Sequence, residues 1–183
     1  SDGLVYSSTD KGANWAQLSF TTSTISSFAL NANDLYFAGA LGTLYKLGAN
    51  NKLTVLPANA NINLKNLAFN GASSQAIAAD NNGNIYTSSV TASPLAWAKQ
   101  TNISVGSNAF KAFASGIVYI NAGKLVYTTL ASTPVTNTIS APANDVLTGF
   151  SILGNALCAF SNTKVYVLNG TTLTPWGTGI TNY

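Results

Sequence analysis

The chain has 183 residues with a formal charge of +3. All eight of its basic residues are Lys, all five acidic ones are Asp, and Arg, Glu, His and Met are absent. Charged residues make up only 7% of the chain, against ~25% in an average soluble domain. Hydrophobic content of 46% suffices for a real core at this length and excludes disorder, which pairs low hydrophobicity with high net charge.

In chain order, the first apolar run is LVYSS around Tyr6, followed by a polar turn and an outer run, Ala13–Leu18. Next come ISSFAL (25–30), DLYFAGA (34–40), TLYKL around Tyr45 and the outer run Leu53–Leu56. The series repeats as LKNLAF (64–69), QAIAAD (75–80), NIYTS around Tyr86 and Leu95–Ala98. It repeats again as FKAFAS (110–115), GIVYINA (116–122), LVYTT around Tyr127 and Pro134–Ile139. The last set is LTGFSI (147–152), NALCAF (155–160), KVYVL around Tyr166 and Leu173–Trp176. Each run is short, rich in β-branched or aromatic residues, and bounded by Gly, Asn, Asp or Ser, with DNNGN (80–84) the clearest hairpin turn. No segment sustains a helical period.

The five tyrosines are separated by 39, 41, 41 and 39 residues. A period near 40 residues with four strands per unit is the pattern of a radial β repeat. The sequence therefore predicts an all-β chain, a β-propeller of four-stranded antiparallel blades within residues 1–183. Its repeat units are about 1–18, 25–57, 64–100, 107–140 and 145–177: four complete blades plus a half blade, part of a five- to seven-bladed ring. Either the chain is a window on a longer one, or its terminal pieces share a blade that lacks a second strand; the window is the expectation. The open blade faces would then contact further polypeptide, from the same longer chain or from a protein partner.

Residues Ser8-Thr9-Asp10-Lys11-Gly12-Ala13-Asn14-Trp15 fit the pattern S-x-D-x-G-x-x-W. Ser8 and Asp10 can bond turn backbone, Gly12 can supply positive φ, and Trp15 can pack over the hairpin. The segment resembles the Asp-box, or bacterial neuraminidase repeat, of sialidase- and sortilin-like β-propellers. The resemblance implies a structural staple between the third and fourth strands of a blade, away from any central site. Tyr86-Thr87-Ser88-Ser89 followed by Trp97 looks like a worn copy that has lost the Asp and Gly.

A sialidase resemblance would also imply an arginine triad, a tyrosine nucleophile with a glutamate partner, and an aspartate acid/base. With no Arg and no Glu that set is unavailable, and Lys does not reproduce bidentate carboxylate binding. Other glycosidase schemes need two facing carboxylates, and Asp2, Asp10, Asp34, Asp80 and Asp145 all fall in turns or at a terminus. Without His there is neither a Ser-His-Asp triad nor a common zinc site. Calcium at Asp80 with Asn82 and Asn84 is conceivable, but a plain hairpin turn is the expectation there. No enzyme activity, cofactor or metal is expected.

The eight Lys form no cluster, so nucleic acid is not an expected partner. No apolar run reaches the ~18 residues of a membrane-spanning helix. Cys158 has no intrachain partner and reads as a small buried hydrophobe. Asn, Ser and Thr supply about a third of the chain, which leans towards an extracellular, cell-surface or periplasmic setting. Two functions remain. One is a non-catalytic scaffold or protein-interaction module of a secreted or envelope-associated protein or complex. The other is a glycan-binding, lectin-like propeller using its Asn/Thr/Ser-rich loops.

Overall fold

Four of the five period-40 tyrosines sit in equivalent strands. In the computed structural model, which describes residues 4–18, 24–48, 52–58, 60–70 and 73–177, eighteen strands form one two-stranded and four four-stranded sheets. The small sheet pairs β1 (Val5–Ser7) with β2 (Ala16–Leu18). Each large sheet is an antiparallel meander of consecutive strands. The first runs β3 (Ser27–Asn31), β4 (Asp34–Ala38), β5 (Leu44–Leu47) and β6 (Leu53–Leu56). The second runs β7 (Leu64–Phe69), β8 (Gln75–Asp80), β9 (Asn84–Ser89) and β10 (Ala98–Ser104). The third runs β11 (Phe110–Phe113), β12 (Gly116–Asn121), β13 (Lys124–Thr129) and β14 (Thr136–Ile139). The fourth runs β15 (Gly149–Leu153), β16 (Ala156–Phe160), β17 (Val165–Asn169) and β18 (Thr172–Pro175). Tyr6 lies in β1, and Tyr45, Tyr86, Tyr127 and Tyr166 lie in the third strand of their sheets.

The sequence-predicted strands are recovered with one substantial shift. The outer run expected at Leu95–Ala98 is a single bridge from Leu95 to Ala58, and the fourth strand is Ala98–Ser104. Residues 101–104, which fall between the expected units 64–100 and 107–140, belong to that strand. Their side chains are mostly exposed, so no apolar alternation marked them.

The chain divides into two compact units, Ser1–Gln100 and Thr101–Tyr183. In the first unit, Tyr36, Ala38 and Leu44 pack against Leu67, Phe69 and Ala78 of the next sheet. Tyr36 and Phe69 meet at a ring-centroid distance of 4.7 Å. Polar bonds fix this stacking. The Leu67 N–H donates to Ser27 Oγ at 3.1 Å, and the Asn31 amide donates to the Ser73 carbonyl at 2.6 Å. In the second unit, Val118, Leu125, Leu157, Ala159 and Tyr166 form the corresponding core. There the Leu147 N–H donates to the Gly123 carbonyl at 2.9 Å, linking the approach to β15 with the β12–β13 turn. That turn places Ala122 and Gly123 both at positive φ, the backbone of a two-residue hairpin whose twist matches its strands. Burying a side chain such as Leu125 or Leu157 contributes ~1.5–3 kcal/mol, and both are essentially fully buried. Cys158 is free and buried in β16.

Candidate functional site

The turn between β1 and β2 gathers the predicted box residues. Ser8 Oγ donates to Asp10 Oδ1 at 2.8 Å and accepts the Gly12 N–H at 2.7 Å. Asp10 Oδ1 accepts the Asn14 N–H at 2.8 Å, while Oδ2 accepts the Asn14 amide at 2.6 Å. Gly12 has φ +94°, a conformation that favours glycine. The Trp15 ring lies over Gly12, with a ring carbon 3.6 Å from where a β-carbon would stand, yet Trp15 stays 63% exposed. The box is thus closed by its polar bonds more than by aromatic burial. Donors from Asn14, backbone first and side chain second, pull the Asp10 carboxyl down from 3.8 to about 2.

Asn14 was not singled out by the sequence, and the same device recurs where no box was expected. In the β8–β9 turn, Asp80 Oδ1 accepts the Asn82 and Asn84 N–H groups at 2.8 and 3.0 Å. Its Oδ2 accepts the Asn84 amide at 2.8 Å and the Tyr86 hydroxyl at 3.1 Å. Asp10 and Asn14, and Asp80 and Asn84, share a D-x-x-x-N spacing, the signal that would have revealed the match. At Asp80 burial pushes the carboxyl up, but the bonds from Asn84, Asn82 and Tyr86 outweigh it and the net shift is downward. Burial and the Asp80 bond both raise the Tyr86 hydroxyl. The donors around Asp80 aim hydrogens at the positions a cation would need.

Asp145 is the polar hub of the second unit. Its Oδ2 accepts Ser161 Oγ at 2.6 Å and the Tyr166 hydroxyl at 2.7 Å, and its Oδ1 accepts the Val146 N–H at 3.0 Å. The Ser161 and Tyr166 bonds lead in lowering its carboxyl. Burial, then the Asp145 bond and charge, push Tyr166 from 10.0 up to about 12. Beside this hub lies an open cleft of about 390 Å³ lined by Asp145, Val146, Thr148, Asn162, Thr163 and Lys164.

Asp34 forms a 2.7 Å ion pair with Lys46, whose ammonium that bond raises. Asp2 lies outside the described residues. Among the described residues no group of three His, Cys, Asp or Glu side chains could hold a metal, and no helix is long and apolar enough to cross a membrane.

Trp97 departs from its reading as part of a worn box. It reaches back to the preceding sheet, where its indole N–H donates to the Gly42 carbonyl at 2.7 Å and its ring packs on the core of the first unit. The reason is position. Trp97 precedes the fourth strand in the stretch bridged to Ala58, whereas Trp15 follows a tight hairpin turn.

No family model matches the sequence, and no curated protein is significantly similar to it. Solved structures are similar in fold. One is PorZ, an essential bacterial surface component of the type-IX secretion system of Porphyromonas gingivalis. The TM-score is 0.59 at 16% identity, covering 95% of this chain and 26% of that one. Virginiamycin B lyase from Staphylococcus aureus gives 0.63 at 13% identity, covering 98% of this chain and 64% of the lyase. YCF48 bound to D1 peptide gives 0.63 at 13% identity, covering 92% and 57%. The chain thus spans less than two-thirds of each of these proteins. At such identities the likeness shows the fold alone: these sheets are blades of a β-propeller.

Proposed function

We propose that this chain is a non-catalytic interaction or scaffold module of a secreted or envelope-associated protein or complex, acting by binding protein. The carrying observation is the use of its carboxylates. Asp10, Asp80 and Asp145 each accept three or more bonds from their own turns and neighbouring strands, and Asp34 is paired with Lys46. The bonds hold Asp10, Asp80 and Asp145 below their ordinary range, which makes them poor general acids at neutral pH. The absence of Arg, Glu and His from the whole chain removes the commonest alternatives. PorZ, a surface component of a secretion system, and YCF48, bound to a peptide, lend the reading support by analogy of fold. The lyase among the similar structures is the analogy on the other side. We read residues 8–15 as an Asp-box acting as a structural staple.

Glycan binding is the second reading, favoured by the cleft at Asp145, whose Thr148, Asn162 and Thr163 suit sugar hydroxyls. The test is photo-crosslinking of the chain in its native setting alongside a glycan array. Reproducible adducts with a defined protein support the first reading. Saturable glycan binding lost on changing Asn162 and Thr148 supports the second, and substrate turnover by the purified chain overturns both.

A further inference from the structure

The chain carries three Asn-Gly dipeptides, at 70–71, 82–83 and 169–170. Gly71 lies outside the described residues. The other two pairs both occupy hairpin turns, Asn82-Gly83 between β8 and β9 and Asn169-Gly170 between β17 and β18. Both glycines take positive φ, +77° and +60°. Their surroundings differ.

Gly83 is buried, and its N–H donates to the Asp80 carbonyl at 3.0 Å. On either side of it the Asn82 and Asn84 N–H groups are held by Asp80 Oδ1. The Gly83 nitrogen is therefore engaged and shielded. In the other hairpin Asn169, Gly170, Thr171 and Thr172 are all exposed. The Asn169 carbonyl accepts the Thr172 hydroxyl at 3.0 Å. Neither the Asn169 side-chain amide nor the Gly170 N–H has a hydrogen-bond partner among the described residues. Beyond its chain neighbours, no heavy atom lies within 4 Å of where a β-carbon of Gly170 would stand. The exposure belongs to this turn of the repeat, since the same turn of the preceding sheet leaves residues 131–133 exposed as well.

We propose that Asn169 is a self-modification site, converted to aspartate or isoaspartate by attack of the Gly170 nitrogen on its side-chain amide. The nitrogen bonds to the Asn169 Cγ carbon and closes a five-membered imide. The bond from Cγ to the amide nitrogen breaks, and that nitrogen leaves as ammonia with the proton lost from the Gly170 N–H. Water then opens the imide, its hydroxyl going to one carbonyl carbon and its hydrogen to the ring nitrogen. Opening at the side-chain carbonyl gives aspartate, and opening at the main-chain carbonyl gives isoaspartate. Nothing is oxidised or reduced, and water is the sole co-reactant. Glycine at position 170 leaves the nitrogen without a β-carbon to hinder the attack.

Either product lowers the formal charge of +3 by one. Isoaspartate also inserts an extra main-chain carbon opposite Thr172, the register partner of Asn169. The next residue, Leu173, is buried in the core of the second unit, so the insertion works against the seating of β18. The site does not rest on the interaction reading.

The test incubates the full 183-residue chain, native and in denaturant, at mildly alkaline pH. Peptide mapping by mass spectrometry follows positions 82 and 169. In the native chain Asn169 should convert about tenfold faster than Asn82, the discrimination that one engaged N–H can give. In denaturant neither turn persists, and the two rates should agree within about twofold. Gly170→Ala should slow conversion at position 169 and leave position 82 unchanged, with circular dichroism reporting its folding. If that variant misfolds, the native and denatured comparison on the unaltered chain still decides. Equal native rates, faster conversion at Asn82, or conversion of Asn169 in denaturant alone would each overturn the proposal. Aspartate without isoaspartate at position 169 would mean direct hydrolysis and would overturn it too.

Discussion

Tyr166 donates its hydroxyl to Asp145 Oδ2 across 2.7 Å, joining residues 21 positions apart. The tyrosine is fully buried in β17, and its partner precedes β15, so one bond ties the entry of the sheet to its third strand. Other blades satisfy the repeat tyrosine from different places. Tyr86 uses Asp80, and Tyr127 lies 3.2 Å from Ser115 Oγ. The ring is buried at Tyr45 and Tyr166 and half-buried at Tyr86 and Tyr127, while the hydroxyls of Tyr86, Tyr127 and Tyr166 meet different partners from one sheet to the next.

This bond should be visible at high pH. Folding raises Tyr166 from 10.0 to about 12, so its stabilising contribution is complete below pH 10 and lost as pH rises through about 12. A phenolate titration followed by ultraviolet absorbance should show one tyrosine ionising near 12 together with loss of fold. Tyr166→Phe should abolish that late step while retaining the core, and Tyr166→Ala should destabilise by ~3–5 kcal/mol. An unchanged titration in Tyr166→Phe would mean the bond does not form in solution.

The box turn should fail in acid. Asp10 is lowered from 3.8 to about 2, so the order it gives the turn is present above pH ~4 and is lost as pH falls through about 2. The amide resonances of Gly12 and Asn14 should report a midpoint near 2. In Asp10→Asn this acid step should vanish and the turn should exchange faster at neutral pH.

The two tryptophans should behave oppositely to their sequence prominence. Trp15 belongs to the motif but is 63% exposed, so Trp15→Ala should destabilise by less than ~1 kcal/mol. Trp97 packs on a core and donates to Gly42, so Trp97→Ala should destabilise by ~3 kcal/mol. Thermal melts of the two variants compare them directly, and an equal loss would refute the packing described here.

Gly116 is required by close approach. A β-carbon there would stand 2.1 Å from the Thr128 carbonyl oxygen in the paired strand. Gly116→Ala should lower stability by ~1–3 kcal/mol through strain in the β12–β13 pair. Denaturant unfolding measures this, and a neutral result would mean the strands separate locally at little cost.

The repeat was legible because the inner strands are buried and must be apolar, so tyrosines near 40-residue spacing marked every third strand. The outer strand Ala98–Ser104 was not legible, since most of its side chains face solvent and carry no pattern. Asp10 and Ser8 could be placed from the motif, whereas Asn14, at an unspecified position of that motif, was marked only by the D-x-x-x-N spacing it shares with Asp80 and Asn84, and its two hydrogen bonds to Asp10 form in the folded turn. The Asp145–Tyr166 pair and the Trp97–Gly42 bond are tertiary. No local spacing encodes partners 21 and 55 residues apart.

We propose that this propeller chain acts by holding another protein and not by chemistry. Photo-crosslinking in its native setting, with reactive side chains placed singly at exposed positions of both units, tests it most directly. The account predicts position-dependent adducts with a defined protein. Adducts with glycan alone, or none at any position together with turnover by the purified chain, would contradict it.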